Sequence, residues 1–225
     1  MQKSPPTLDL MPYFLVMDDV HERYDGQLDW PVFFGNDNPV EIDVGCGRGL
    51  FIVHAAEAHP ERNFLGIEID YREGRRGANR LRKRKYANAR ILGGDANVPF
   101  TTMIKPHSVS AVHIYFPDPW WKRKHRARRI FNDKFVTLCS NLLIPDGLLH
   151  AWTDVEEYFG VMSALMDHHD DFSKLPPPEE RAPTDDMDYQ TSFERKKRKL
   201  GLPIYRGKWQ RKSTKTANTT FISTS

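Results

Sequence analysis

Short apolar runs alternate with helical segments through the middle of the chain. The runs that we predict as buried strands are 40–44, 63–70, 88–92, 109–115 and 148–153. The helices that we predict between and after them are 50–58, 72–85, 131–142 and 156–168. Regular alternation of strand and helix is typical of α/β proteins, so we expect a Rossmann-like, doubly wound and mostly parallel sheet.

The two ends of the chain lack this order. We predict three parts: an N-terminal arm (1–34), a single α/β domain (35–208) and a flexible tail (209–225). The arm is interrupted by prolines, and the tail is rich in Thr and Ser without an apolar period. Smaller expected features are some helix near 13–19, an edge segment at 31–34, a turn at 145–147, an irregular loop at 174–189 and a last strand at 202–206.

Length and composition indicate a globular protein. The 225 residues suit one large domain, and the charged share of 28% is ordinary for such a protein. No apolar run approaches the length that spans a bilayer, and the N-terminus lacks the pattern of a secretion signal. Cys46 and Cys139 are not in a disulfide or metal spacing. We therefore expect a cytoplasmic protein with no bound metal, no membrane contact and no obligate protein partner.

The net charge of +3 hides a segregated distribution. Residues 72–90 hold nine Lys or Arg against Glu73 alone, and residues 122–134 hold seven against one acid. Residues 154–188 hold eleven Asp or Glu against two basic residues. Each run taken singly is explained by a solvated helix face. Several basic runs in one chain favour binding of a polyanion, in particular a nucleic acid.

A glycine-rich turn follows the first predicted strand. Gly45, Gly47 and Gly49 lie between strand 40–44 and the helix that begins at Leu50. This order is that of the nucleotide-binding unit of doubly wound sheets, where glycines let the backbone approach a ligand. An ordinary strand-to-helix loop would also show the pattern, so other residues are needed to distinguish a ligand-binding turn from such a loop.

Four carboxylates fall at the carboxyl ends of predicted strands, namely those of Asp43, Glu68, Asp95 and Asp118. Glu68 follows Gly45 by 23 residues, which is where such folds place an acid for ribose hydroxyls. The third glycine comes one residue earlier than in the dinucleotide motif, and Asp43 would repel a pyrophosphate. Acids around one crevice instead attract a cation. These features favour S-adenosylmethionine over NAD as the cofactor.

Asp118 stands in an unusual setting. Pro117 and Pro119 flank it at the end of a predicted strand, and each proline restricts its own φ and the residue before it. Two tryptophans and a dense basic run follow directly. We expect a stiff elbow that presents a carboxylate beside aromatic surface and positive charge.

Several motifs carry a family resemblance. The segment from Asp43 to Gly49 resembles the first motif of the class I methyltransferases. The longer match comprises, in order, residues 63–68, 116–125, 153–154, 191–194 and 200–206. Together these resemble the bacterial tRNA (guanine-N7-)-methyltransferase family. Asp43 stands where that family often has Glu, and Trp121 replaces a common Pro.

The resemblance implies an enzyme that transfers a methyl group from S-adenosylmethionine to N7 of a variable-loop guanosine (position 46) in tRNA. The cofactor contacts that it implies are Asp43, Gly45, Gly47, Glu68, Asp95, Ala96 and Asp118. It places Asp118 at the methyl-transfer centre as the catalytic residue. The tRNA contacts that it implies are Lys122, Asp154, Thr191, Ser192, Phe193 and Glu194.

Three other readings fit part of the sequence. A small-molecule methyltransferase would share the glycine turn and the acids but has no use for the basic runs. A non-catalytic RNA-binding module has no use for a crevice lined by acids. An NAD enzyme is disfavoured by the turn spacing and by Asp43.

Overall fold

The computed structural model describes residues 10–178 and 191–213. Its strands are β1 (Phe14–Val16), β2 (Val40–Val44), β3 (Asn63–Glu68), β4 (Ala89–Gly93), β5 (Val109–Tyr115), β6 (Leu143–Thr153), β7 (Phe172–Leu175) and β8 (Tyr205–Arg211). Its α-helices are α1 (Met17–Tyr24), α2 (Trp30–Phe34), α3 (Leu50–Ala58), α4 (Tyr71–Arg84), α5 (Asn97–Thr102), α6 (Asp133–Leu142), α7 (Glu156–Asp167) and α8 (Ser192–Lys199). A 3-10 helix covers Arg123–Arg128.

The strands form one sheet in the order β1-β4-β3-β2-β5-β6-β8-β7. Strands β1 to β6 pair in parallel, whereas β8 is antiparallel to both β6 and β7. Strand order reverses between β2 and β5, and ligands bind at such a switch point in open α/β sheets. The prediction of a doubly wound, mostly parallel sheet is confirmed.

Both faces of the sheet carry an apolar layer. The smaller layer includes Phe51 and Ile52 of α3 and Leu81 of α4. The larger layer includes Phe135 of α6 and Tyr158 of α7. The helices therefore cover the sheet on both sides and leave its carboxyl edge open for a site. Within 10–178 and 191–213, no helix is long and apolar enough to cross a membrane.

Residues 10–34, which we predicted as part of an N-terminal arm, form one strand and two helices that pack with the rest of the domain. Strand β1 extends the sheet by pairing Phe14 with Ile91 of β4, and Leu15 is fully buried. Residues 31–34 lie in helix α2, not in an edge strand, because Asp29 caps that helix and Pro31 fits its first turn. Strand β1 was not predicted, because three residues are too few to show the alternation of apolar and polar positions that marks a strand.

The C-terminal boundary of the domain lies further along the chain than we predicted. The last strand, β8, runs to Arg211, so the expected boundary at 208 falls inside it and residues 209–211 belong to the sheet. Trp209 of this strand is fully buried in the larger apolar layer. The residues at 145–147 form an irregularity inside β6, where the register against β5 shifts, instead of a separate turn.

The expected loop at 174–189 and the expected tail lie partly outside the described residues. Residues 174–175 complete the edge strand β7. The parts at 179–190 and 214–225 fall beyond the two described ranges.

Candidate active site at the carboxyl edge of the sheet

A cavity of about 480 Å³ opens at the switch point of the sheet. Its walls come from the residues that follow β2, β3, β4 and β5, together with residues 127–130 and Phe193 of α8. Cofactor cavities are typically of this size and lie at this place in open α/β folds. The residues expected to contact the cofactor that line it are Gly45, Gly47, Glu68, Asp95, Ala96 and Asp118.

The glycine turn forms one wall of the cavity. Gly45 and Gly47 have φ values of 75° and 53°, a conformation that L side chains rarely adopt. A Cβ atom built on either glycine meets no heavy atom within 4 Å. The turn therefore presents bare backbone to open space, as a ligand cradle requires.

Glu68 fixes the shape of this turn. Its Oε2 accepts the backbone N–H of Gly47 at 2.7 Å, and its Oε1 accepts that of Asp70 at 2.8 Å. A carboxylate oxygen has a second lone pair, so Glu68 retains acceptor capacity towards a ligand. On the next strand, the exposed Asp95 accepts the backbone and side-chain N–H groups of Asn97, each at 2.9 Å.

Asp43 lies behind the turn, outside the residues that line the cavity. Its side chain is buried, with only 3% of the residue exposed. Burial, together with the negative charge of Glu68, raises the pKa of Asp43 to about 8. At neutral pH the carboxyl group is therefore mostly protonated, and its expected contact with the cofactor stays a prediction.

The elbow around Asp118 is tighter than its prolines alone implied. Phe116 and Trp120, on either side of it, both have positive φ values, 53° and 43°. Such conformations are uncommon in residues other than glycine and concentrate at functional sites. Asp118 is exposed and lines the cavity. No hydrogen bond or ion pair engages its carboxylate within the described part of the chain.

Arg129 supports this elbow through a hydrogen bond to its backbone. Its Nε donates to the carbonyl oxygen of Pro119 at 2.8 Å, and its guanidinium lies 4.5 Å from the ring centroid of Tyr158. Only 7% of Arg129 is exposed. Arg129 belongs to the basic run 122–134, which suggested contact with a polyanion, but its burial makes it a structural brace.

The neighbouring basic residues remain at the surface. Arg128 lines the cavity and lies 5.1 Å from the ring centroid of Trp120. Arg126 pairs with Glu157 at 2.8 Å, and Lys122 is exposed just before the 3-10 helix. Arg128 and Lys122 therefore remain candidates for contact with an anion.

Helix α8 brings a further aromatic ring to the cavity. The side chain of Thr191 caps the helix by accepting the N–H of Glu194 at 3.0 Å. Phe193 is 60% exposed, and its ring stacks with Phe116 at a centroid distance of 6.1 Å. Ser192 begins the helix. Phe193, one of the residues expected to contact tRNA, lines the cavity.

The two carboxylates expected near the substrate are both paired. Glu194 is buried, and its Oε1 accepts from Arg206 Nη2 at 3.2 Å. Asp154 pairs with Lys197 at 2.6 Å. Arg206 also lies 5.0 Å from the ring centroid of Trp152, which anchors α8 to β6. Sequence reasoning had not assigned a role to Arg206, although it falls within the last matching motif.

A second, larger cavity of about 680 Å³ lies on the α3 face of the sheet. A hydrogen-bonded chain crosses its floor: His113 contacts Glu41 at 2.8 Å through Nε2 and the Tyr115 hydroxyl at 2.9 Å through Nδ1. Burial raises the pKa of Glu41, but His113 and Arg62 outweigh it and lower that pKa to about 2. We place the active site in the smaller cavity, because the strand-end acids and the glycine turn meet there.

Metal binding has no candidate site in residues 10–178 and 191–213. No group of three or more His, Cys, Asp or Glu side chains in these ranges is arranged to hold an ion.

Comparisons with known proteins agree with this architecture. A family model described as "Putative methyltransferase" matches residues 37–207. A tRNA (guanine-N(7)-)-methyltransferase from Rhodopirellula baltica is 40% identical over 219 residues, which cover 95% of this chain and 79% of the relative. A relative of the same name from Vibrio cholerae is 35% identical over 185 residues, with coverages of 82% and 77%.

Solved structures show the same fold at low identity. The aminoglycoside resistance methyltransferase NpmB1 matches with a TM-score of 0.55 at 16% identity, covering 77% of this chain and 87% of that one. A SAM-dependent O-methyltransferase from Thermotoga maritima matches with a TM-score of 0.52 at 12% identity, covering 88% and 72%. These likenesses establish the methyltransferase fold. The matching family model and the similar sequences identify the family: the chain belongs to the tRNA (guanine-N(7)-)-methyltransferase family.

Proposed function

We propose that this protein transfers a methyl group from S-adenosylmethionine to N7 of a guanosine in tRNA, with the variable-loop guanosine at position 46 as the target. One observation carries the proposal. The cavity at the switch point joins an open glycine turn to the exposed carboxylate of Asp118, and an exposed basic segment adjoins it. The curated relatives carry the name of this activity.

The cavity has the chemistry that the methyl donor requires. Glu68, Asp95 and Asp118 supply three carboxylates to its wall, against two arginines, Arg128 and the buried Arg129, which lie together beside the elbow. Such a lining favours a cationic ligand over a pyrophosphate. We assign Glu68 to the ribose hydroxyls and Asp95 to the adenine side, with the bare backbone of Gly45 and Gly47 facing the ligand. When bound, S-adenosylmethionine supplies an electrophilic methyl group on a sulfonium.

The chemical demand on the protein is small. Guanine N7 has a lone pair and needs no deprotonation, so positioning of the base is the main task, and good alignment lowers a barrier by several kcal/mol. Positive charge moves towards the purine as the new C–N bond forms. The Asp118 carboxylate, held by the strained elbow, stabilises this charge without accepting a proton.

The aromatic residues at the mouth suit a base that has left its stack. Phe193 offers an exposed ring beside the cavity and is backed by Phe116. We propose that Phe193 stacks on the target guanine, as is usual for single-stranded RNA bases. Because Asp154 and Glu194 are engaged by Lys197 and Arg206, they act by fixing α8 unless the RNA displaces those partners.

We propose a cytoplasmic location because neither cysteine forms a disulfide. Both Cys46 and Cys139 are free thiols, which agrees with a reducing cytoplasm.

The test is methyl transfer from labelled S-adenosylmethionine to unmodified tRNA, followed by nucleoside mapping. We expect 7-methylguanosine at position 46, and an Asp118→Asn variant should lose about a hundredfold or more in kcat. Asp37→Asn is the matched control, since Asp37 is exposed just before the amino end of β2. Label in a small molecule but not in tRNA would contradict the substrate class, and an Asp118→Asn variant with normal turnover would remove its assigned role.

A further inference from the structure

One face of helix α4 carries a row of arginines that the active site does not use. Arg72, Arg76, Arg80 and Arg84 follow one another at four-residue intervals, so they form one row along the helix, which we name the α4 stripe. At 1.5 Å per residue the stripe extends for about 18 Å. Like charges at this spacing destabilise a helix, so the row has a cost that folding alone does not explain.

Acidic residues neutralise only the first part of the stripe. Glu73 is the only Asp or Glu in α4. Its carboxylate contacts Arg48 at 2.5 Å and also pairs with Arg76. The last two turns of the helix contain no acid. Outside α4, Glu57 of α3 lies at this end beside Tyr86 and Arg84. Residues 80–85 hold five Lys or Arg, so the far end of the stripe keeps a net positive charge.

The stripe is held close to the glycine turn by tight packing. A Cβ atom on Gly77 would lie 2.6 Å from the side chain of Ile91 and 3.0 Å from the backbone carbon of Arg48. Arg80 Nη1 donates to the carbonyl oxygen of Arg48 at 3.2 Å. Since Arg48 belongs to the turn that walls the cavity, the stripe has a fixed position relative to the reaction centre.

Helix α8 continues this positive surface back to the cavity mouth. Arg195 of α8 follows Phe193, which lines the cavity, by two residues. Burial lowers the pKa of Arg80, and the positive charge of Arg195, with those of Arg48 and Arg84, adds to this effect. The positive surface thus runs from Phe193 at the mouth, past Arg195 and Arg48, and along α4.

We propose that the α4 stripe, with Arg48 and Arg195, is a second tRNA-docking surface that binds phosphates of the strand leading away from the target guanosine. This inference rests on the proposed function. The segment 122–129 would hold the backbone on one side of the target nucleotide and the stripe on the other. Arginine suits this role because its guanidinium is always charged and matches phosphate geometry. Contacts of this kind position a folded RNA without reading its sequence.

The test compares two triple variants of equal charge. In Arg76→Gln/Arg80→Gln/Arg84→Gln the stripe loses three charges, and in Lys105→Gln/Lys174→Gln/Lys212→Gln three exposed lysines are lost at the amino end of β5 and near β7 and β8. Binding of unmodified tRNA is measured from 50 to 200 mM salt. We expect the stripe variant to bind tRNA about tenfold or more weakly and its salt slope to shrink by about 2 to 3, because each lost phosphate contact removes 0.7 to 0.9.

Two further measurements separate docking from misfolding. The stripe variant should keep the wild-type affinity for S-adenosylmethionine and show a raised KM for tRNA with kcat retained. A triple Arg→Lys variant of the same positions keeps the charge and should restore the salt slope. Equal slopes for wild type and stripe variant, with tRNA still methylated, would overturn this surface alone. A wild-type protein that methylates no tRNA would overturn the proposed function and this surface together.

Discussion

Replacement of Asp43 by Asn should stabilise the protein in a strongly pH-dependent way. Burial and the nearby Glu68 raise the pKa of Asp43 from 3.8 to about 8 in the folded protein. In the unfolded chain the carboxyl group ionises near its ordinary value, so between about pH 4 and pH 8 the folded state holds one more proton. Folding stability then falls as pH rises through this window and levels off above the folded pKa. Asn copies the protonated form and cannot ionise, so the variant escapes this loss.

The size of the effect follows from the shift. Each pH unit above the unfolded pKa is worth about 1.4 kcal/mol, so the advantage of the variant reaches about 4 kcal/mol at pH 7. It should be close to zero at pH 4 and largest above pH 8. For a domain of this size, 4 kcal/mol corresponds to a rise in Tm of roughly 10 °C.

The measurement is urea unfolding of wild type and Asp43→Asn at pH 4, 5, 6, 7 and 8, followed by tryptophan fluorescence. The exposed Asp37→Asn variant controls for the loss of one carboxylate. The difference in free energy of unfolding should widen steadily with pH for Asp43→Asn and stay constant for the control. A constant difference across this range for Asp43→Asn would refute the argument that Asp43 is buried as a neutral acid.

Three other changes have expected outcomes. Arg129→Lys removes the planar donor from the Pro119 carbonyl while keeping the charge; kcat should fall with little change in the affinity for tRNA, and a fall in tRNA affinity alone would point to phosphate binding instead. Phe193→Ala should raise KM for tRNA while calorimetry shows unchanged binding of S-adenosylmethionine; equal effects on both ligands would contradict a stacking role. Glu41→Gln should destabilise the protein above about pH 4.5 and much less below pH 2, since the lowered pKa of Glu41 gives stability that is lost as pH falls; unfolding curves that shift equally at pH 3 and pH 7 would contradict its pairing with His113.

The central sheet was predictable because its strands obey simple rules. Strand β2 and the turn from Gly45 to Gly49 were located correctly, since an apolar run followed by glycines and then by a helical pattern is compatible with few other structures. The acids at the strand ends could also be placed, because parallel strands present their carboxyl ends at one edge. Glu68, Asp95 and Asp118 do line one cavity.

Side-chain partnerships across the sheet were not predictable. Arg129 sits in a basic run that suggests exposure, yet a carbonyl and an aromatic ring 10 and 29 residues away bury it. Glu194 was expected to contact the tRNA, but its carboxylate is engaged by Arg206 of the following strand. Asp43 was expected to face the ligand as an anion, and only the packed structure reveals its burial. Pairings of this kind depend on three-dimensional proximity, which one sequence does not encode locally.

The position of β8 between β6 and β7 has a consequence for synthesis of the protein. Strand β7 leaves the ribosome first, but in the sheet its hydrogen-bonding neighbour is β8, which is made 30 residues later. The growing chain therefore carries an unfinished edge at β6 until β8 has been translated. A chain that stops just before Tyr205 would lack β8, leave β7 without its pairing neighbour in the sheet and uncover the apolar surface around Leu149. Premature termination should thus yield aggregates and not a shortened enzyme.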